Sequence, residues 1–225
     1  MRKLGIFIAA MFALGLIGSF FSDGKTNSTS KSGETIVATS VKKGGAKGTT
    51  PTKKPITTST VPPASTKRYK VALSNTRITK DPVEGITWYR ARTSPTYVNR
   101  NGFFLYIGRE TGKAVTLRFK IQYFGSDWLF INSYIINVDG TKYEIQVDSG
   151  DLNRDNDSDV WEWYDVIPSS ENIAMLKAIS TSKHTVVRMV GDQYKKDVVI
   201  STTQKQALST MFTVYTGLGG ALDSF

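Results

Sequence analysis

Along residues 114–147 apolar positions alternate with polar ones. Val115, Leu117, Phe119, Ile121 and Tyr123 are interleaved with Thr116, Arg118, Lys120 and Gln122. Side chains of a strand point to opposite faces with period two, so this pattern predicts a strand with one buried and one wet face. Gly125-Ser126-Asp127 then supplies a turn into residues 128–138, which are apolar on both faces and read as a central strand. Asp139-Gly140 is a two-residue hairpin signal, because both positions of such a turn favour positive φ. Tyr143, Ile145 and Val147 resume the alternation. The stretch as a whole predicts three consecutive antiparallel strands joined by two tight turns.

The same pattern extends outward. Tyr69, Val71 and Leu73 alternate and predict a strand over 69–79. Further strands are expected at 86–89, at 103–107 and at 160–167, where Pro168 ends the run. Ser169 or Ser170 can cap a helix whose stripe is Ile173, Leu176 and Ile179. A hairpin across Gly191-Asp192 follows. Ser201 and Gln204 then form a capping box for a second helix, with Leu208, Met211, Phe212 and Tyr215 on its buried face and Gly217 at its end. Strands dominate and the helices come late. The expected class is α+β: mainly an antiparallel sheet or small β-sandwich with two helices in the C-terminal half.

Composition changes this picture at the amino-terminal end. Residues 4–21 carry no charge and follow Arg2 and Lys3. A helix of 18 residues spans about 27 Å, close to the hydrocarbon thickness of a bilayer. Residues 1–21 therefore read as a signal anchor or a signal peptide. Leu16 and Gly18 do not make a small-x-small cleavage site and Phe20 and Phe21 follow, which favours a retained anchor over secretion after cleavage. Residues 22–68 are rich in Ser, Thr, Lys, Gly and Pro and lack aromatics, so they are expected to be a disordered linker. Residues 69–225 are expected to fold.

Charge divides the same way. The formal net charge is +10, yet residues 69–225 hold 18 Lys+Arg against 17 Asp+Glu, while 22–68 hold 9 against 2. Basicity thus belongs to the linker, which argues against nucleic acid as partner of the folded part. The basic linker suits an anionic envelope polymer or lipid headgroups, with the membrane itself engaged through 4–21. Absence of cysteine removes disulfides, thiolate metal sites and cysteine nucleophiles.

Two patterns bear on chemistry. Asp151, Asn153, Asp155, Asp157, Asp159 and Glu162 occupy positions 1, 3, 5, 7, 9 and 12 of a twelve-residue calcium loop. Asn156 replaces the usual Gly at position 6 and Ser158 an apolar residue at position 8. The competing reading is a solvated acidic turn whose side chains bond their own backbone. Trp161 and Trp163 share one strand face; with Trp88, Tyr89 and Trp128 they offer a sugar- or peptide-binding surface, against the simpler role of packing. His184 is the only histidine and no paired-histidine or nucleophile motif accompanies it.

Gly85-Ile86-Thr87-Trp88-Tyr89, Asp127-Trp128-Leu129-Phe130-Ile131, Val138-Asp139-Gly140, residues 155–165 and the late hairpin 187–192 together resemble a loose group of uncharacterised bacterial exported or lipoprotein-like domains. The likeness covers roughly 84–215. It implies an extracytoplasmic, β-rich domain and no activity. The sequence therefore leads to a non-enzymatic binding or interaction module for an unknown ligand or protein partner, tethered outside a bacterial cytoplasmic membrane. The alternative is a secreted hydrolase of an envelope polymer that uses acidic residues in 148–165.

Overall fold

A computed structural model describes residues 63–148, 150–223 and 225. The expected anchor or signal peptide at 1–21 and most of the expected linker lie outside the described residues. Among the described residues no helix is long and apolar enough to cross a membrane.

The described residues begin with a helix, α1 (Pro63–Ser74), which occupies 69–74 of the strand expected at 69–79. Pro63 suits the first helical position, where its missing N–H costs nothing. Tyr69 and Leu73 are half-buried, Ala72 is buried and Val71 is 55% exposed. The buried set is thus spaced three and four residues apart, as on a helix face. The alternation of 69, 71 and 73 was coincidental. β1 (Thr76–Asp81) starts only after Asn75 closes the helix with its N–H on the Val71 and Ala72 carbonyls.

Next come β2 (Ile86–Ala91), β3 (Gly102–Glu110) and β4 (Thr116–Gly125), each antiparallel to the last. β5 (Ile131–Val138) and β6 (Thr141–Gln146) form a hairpin across Asp139-Gly140, whose φ values are +48° and +96°. β7 (Leu152–Asn156) and β8 (Val160–Val166) form another. α2 (Ser170–Thr181) follows, capped by the Ser169 hydroxyl, which accepts from the Asn172 N–H. β9 (Thr185–Gly191) and β10 (Lys195–Val199) pair antiparallel, and α3 (Thr202–Gly217) ends the fold with the Ser201/Gln204 capping box in place. The architecture is α+β, with two antiparallel sheets ordered β1-β2-β3-β4-β8-β7 and β10-β9-β5-β6.

This order corrects the three-strand meander. β4 and β5 do not pair; β4 pairs with β8, and β5 lies between β9 and β6 in the other sheet. Residues 126–130 carry the chain across. Strand β5 starts at Ile131 and not at Trp128, because Phe130 takes φ +55° and breaks the extended backbone. The expectation of a central strand holds for β5, though within a different sheet.

Both sheets and the helices share one core. Phe119, Tyr134, Ile136, Leu176 and Leu208 are fully buried within it. α3 packs on β3 and β2 and against α1 and α2. Lys205, only 7% exposed, donates from Nζ to the Ser182 and Lys183 carbonyls beyond the end of α2. A cation suits that position, since the last carbonyls of a helix are unpaired and partly negative.

The β5–β6 turn is docked to the same connection. The Asp139 carboxylate accepts the Lys183 and His184 backbone N–H groups at 2.9 and 2.7 Å. Those two bonds hold its pKa below the ordinary range. Asp197, paired with Arg188 at 2.7 Å, is lowered by that hydrogen bond, and Glu171 by the Ser169 side chain at the start of α2. A depressed carboxylate contributes its stability above the unfolded pKa of about 4 and loses it as pH falls through the folded value. Thermal unfolding followed from pH 6 to pH 2 is thus expected to weaken below about pH 4. Asp139→Asn should flatten part of that slope; an identical acid limb in the variant would show that this carboxylate contributes nothing.

Candidate functional site: the outer face of the six-stranded sheet

Strand pairing places the polar halves of the alternating runs side by side. Arg90, Tyr106 and Arg118 stand in one row across β2, β3 and β4. Phe104, Lys120 and Asp165 form the next row across β3, β4 and β8, and Gln122 and Trp163 the one after. These residues face away from the core, which takes Tyr89, Leu105, Ile107, Phe119 and Ile121 from the opposite face. Phe104 is buried yet stands outside the core cluster. Its cover is the Arg90 guanidinium, 5.1 Å from the ring centroid.

The connection between β2 and β3 folds over one side of this face. Arg90 donates to the Pro95 carbonyl at 3.2 Å, and Gln122 Nε2 donates to the Val98 and Arg100 carbonyls at 3.1 and 2.8 Å. Arg77 reaches the Thr96 hydroxyl and the Ser94 carbonyl. Asn101 accepts the Phe124 N–H at 2.9 Å. Backbone carbonyls of the connection thus orient the long cations on the sheet.

Two cations, Arg118 and Lys120, meet one carboxylate at the centre, with Arg90 in the adjacent position. Arg118 Nε donates to Asp165 Oδ1 at 3.0 Å and its terminal nitrogen to the Asp165 carbonyl at 2.8 Å. Lys120 Nζ lies 3.8 Å from Asp165 Oδ2 and 5.0 Å from the Trp163 ring centroid. The Tyr106 hydroxyl donates to Asp165 at 2.8 Å and accepts from Arg118 Nε at 3.3 Å. Arg90 lies 5.4 Å from the Tyr106 ring centroid. Burial pulls the pKa of Lys120 down, with Arg90 and Arg118 adding to the effect against Asp165. Burial also lowers Arg90 and raises Tyr106, the latter reinforced by Asp165. For Arg118 burial acts downward, but Asp165 and Tyr106 outweigh it and the guanidinium is held above its usual value.

A cavity of about 240 Å³ opens beside this cluster, lined by Trp88, Tyr106, Gly108, Lys113, Thr116 and Arg118. The indole of Trp88 lies over Gly108, where a Cβ would come within 2.9 Å of the ring. Only glycine leaves the ring flat against the sheet. Trp88 Nε1 is buried and has no hydrogen-bond partner among the described residues. Glu110 at the rim is paired with Lys113 at 2.9 Å. A larger depression of about 490 Å³ lies between α1 and α3, far from these groups, with Val71 and Ala72 in its wall. Lys67, Arg68, Asn75, Ser209, Thr210 and Thr213 also line it, but no aromatic ring or carboxylate does, so the smaller cavity, which has both, is the better candidate despite its size.

Of the aromatic residues expected to form a surface, Trp88, Trp161 and Trp163 lie on this outer face, whereas Tyr89 points into the core and is 9% exposed. Trp128 leaves the sheet and stacks on Phe130, with centroids 6.0 Å apart. The sequence pattern missed Arg90, Tyr106, Arg118, Lys120 and Asp165, because the polar half of an alternating strand reads as a solvated face.

The twelve-residue acidic stretch does not wrap around a centre. It is the β7–β8 hairpin, with Asn156 opposite Val160 and Arg154 opposite Glu162. A hairpin sends successive side chains to opposite faces. Asn153 and Asp155 lie across from Trp163 and Trp161, on the outer face. Asp151 precedes β7, and Asp157 and Asp159 form the tight turn, closed by the Asp157 N–H on the Asp159 carbonyl at 2.9 Å. Asp155 accepts the Asn156 N–H at 2.8 Å, the local bonding of a turn. Glu162, the residue meant to close the shell, is fully buried on the inner face. Its Oε1 accepts the Leu129 and Phe130 N–H groups at 2.7 and 2.9 Å, and its Oε2 accepts the Ile131 N–H at 2.8 Å and Arg154 Nε at 3.0 Å. The six expected calcium ligands are thus not brought together. Among the described residues no group of three or more His, Cys, Asp or Glu is placed to hold a metal ion.

No family model, curated protein or solved structure matches this chain.

Proposed function

We propose that this protein is a non-enzymatic binding module, tethered outside a bacterial cytoplasmic membrane, that holds its ligand on the outer face of the six-stranded sheet. One observation carries the reading: aromatic rings and half-buried cations share the sheet face turned away from the core, beside a cavity that Trp88, Tyr106 and Arg118 line. Binding sites combine an apolar floor with a few placed polar groups, and this face has both. The tether rests on the uncharged run at 4–21 and the basic linker. The resemblance to bacterial exported domains points the same way. The hydrolase alternative needs two carboxylates flanking one bond. Glu162 and Asp165 project to opposite faces of β8, and Asp165 is held by Arg118, so these two do not supply such a pair.

The test is co-sedimentation of the full-length chain, in an uncharged detergent, with purified bacterial wall polymer. Trp88→Ala with Trp163→Ala should weaken retention by about tenfold or more, the loss of roughly 1.4 kcal/mol or more expected of central aromatic contacts. Val199→Ser, at an exposed position on the other sheet, serves as the control. Equal retention of both variants would remove the outer face as the binding surface.

A further inference from the structure

The cluster at the centre of the outer face is unbalanced in charge and in hydrogen bonding. Arg118 and Lys120 share the one carboxylate of Asp165, Arg90 stands beside them against the Phe104 and Tyr106 rings, and Lys120 and Asp165 are only 18% and 14% exposed. Long cations taken partly out of water without matching anions are costly. Nearly every polar side chain there is also a donor: two guanidinium groups, an ammonium and the Tyr106 hydroxyl. The carboxylates are Asp165, already shared, and Glu110 at the rim, already paired with Lys113, while the Pro95 and Asp165 carbonyls already accept from Arg90 and Arg118. A surface that is nearly all donor and carries excess positive charge suits a ligand that is all acceptor and negative. Guanidinium groups match the oxygens of a phosphate in a two-pronged geometry.

We propose that Arg90, Arg118 and Lys120 form a site for a phosphate group of the ligand, with Asp165 as the internal carboxylate that competes for the same cations. The site rests on the outer-face reading given above and narrows it to phosphate-bearing ligands. Burial that disfavours the charge on Lys120 and Arg90 is consistent with a site completed by an anion. Asp165 gives the proposal a signature that a purely structural ion pair lacks. Removing a competitor should strengthen binding, whereas removing a cation should weaken it.

The experiment titrates the full-length chain with sodium phosphate against sodium chloride of equal ionic strength, in uncharged detergent at neutral pH. Tryptophan fluorescence is the readout, because Trp88 and Trp163 border the cluster. Phosphate should bind with a saturable midpoint that chloride does not reproduce. Asp165→Asn should lower that midpoint by about tenfold, and Lys120→Met or Arg118→Gln should raise it by about tenfold or more. Lys120→Arg should restore binding. Far-UV circular dichroism identifies any variant that fails to fold, and Lys120→Met with Lys120→Arg then carries the comparison, since both keep an apolar stem over Trp163. The basic linker attracts anions too, but none of these substitutions touches it. Phosphate binding equal in every variant would place the anion on the linker and overturn the proposal. So would a response no greater than that to chloride.

Two further arms separate the source of the phosphate: a soluble glycerol-phosphate oligomer and vesicles containing phosphatidylglycerol. The same order of variants with either one supports the site and names its source. If wall-polymer retention still depends on Trp88 and Trp163 while phosphate fails, the surface stands and the phosphate site falls. If phosphate binding follows the variants while the polymer is not retained, the site stands and the polymer reading falls.

Discussion

Glu162→Gln is expected to cost the domain about 3–5 kcal/mol, the penalty for breaking a buried, hydrogen-bonded charge pair. The carboxylate has no exposure to water and four donors point at it: the Leu129, Phe130 and Ile131 N–H groups and Arg154 Nε. Three successive N–H groups turned to one side form an anion-binding concavity, and the positive φ of Phe130 is what turns them. Arg154 completes the arrangement by donating to the Ile131 carbonyl at 3.3 Å and lying 5.6 Å from the Phe130 ring centroid. A glutamine keeps the shape but replaces one acceptor with a donor aimed at donors. It also leaves the guanidinium without its counter-charge. Buried donors without acceptors cost about 1–3 kcal/mol each, so the effect is large against a typical total of roughly 5–15 kcal/mol. Urea unfolding would measure it, and amide exchange at Leu129 and Ile131 would locate it. Arg154→Met should cost less, because that side chain is 38% exposed and water replaces part of its role. A Glu162→Gln loss below about 1 kcal/mol, with those amides still protected, would show that the carboxylate does not hold the crossing between the sheets.

A comparable loss, about 3–5 kcal/mol, is expected for Phe119→Ala. Phe119 is fully buried on the inner face of β4 and meets Phe103 edge-on at 5.1 Å and Tyr164 edge-on at 6.3 Å. Tyr164 in turn lies 5.9 Å from Tyr134 on β5, so this line of rings ties the six-stranded sheet to the four-stranded one. Truncation removes the transfer free energy of the ring and leaves a cavity that neighbours on two sheets cannot close together. The aromatic contacts add about 0.5–1.5 kcal/mol beyond burial. Phe119→Leu should lose clearly less, since most of the volume remains. Urea midpoints with an unchanged dependence on denaturant give the comparison. A Phe119→Ala domain within about 1 kcal/mol of the parent would mean that the two sheets are joined elsewhere.

These two positions show how the sequence and the structure divide the information. Phe119 was legible as core from its alternation with Arg118 and Lys120. Glu162 was legible only as an acid in a regular spacing, and that spacing suggested a metal loop. What the spacing could not contain was Arg154 opposite it and three N–H groups more than thirty residues earlier. The same holds for the candidate site. Trp88 and Trp163 stood out by type, but Arg90, Arg118 and Lys120 looked like ordinary wet positions until pairing set them around Asp165.

By itself the sequence determined the α+β class, the β5–β6 hairpin at Asp139-Gly140, the end of β8 before Pro168 and the caps of α2 and α3. Each depends on residues within a few positions of one another, where backbone preference, side-chain period and local hydrogen bonds act directly. Only the tertiary structure decided that residues 69–74 are helical and that the chain changes sheets after Gly125. It alone placed Glu162 inward and gathered three cations on one face. Helical and extended spacings coexist in Tyr69, Val71, Ala72 and Leu73, and only packing against α3 selects between them. The other outcomes depend on strand register and on the cost of burying charge, both set by residues far apart in the chain.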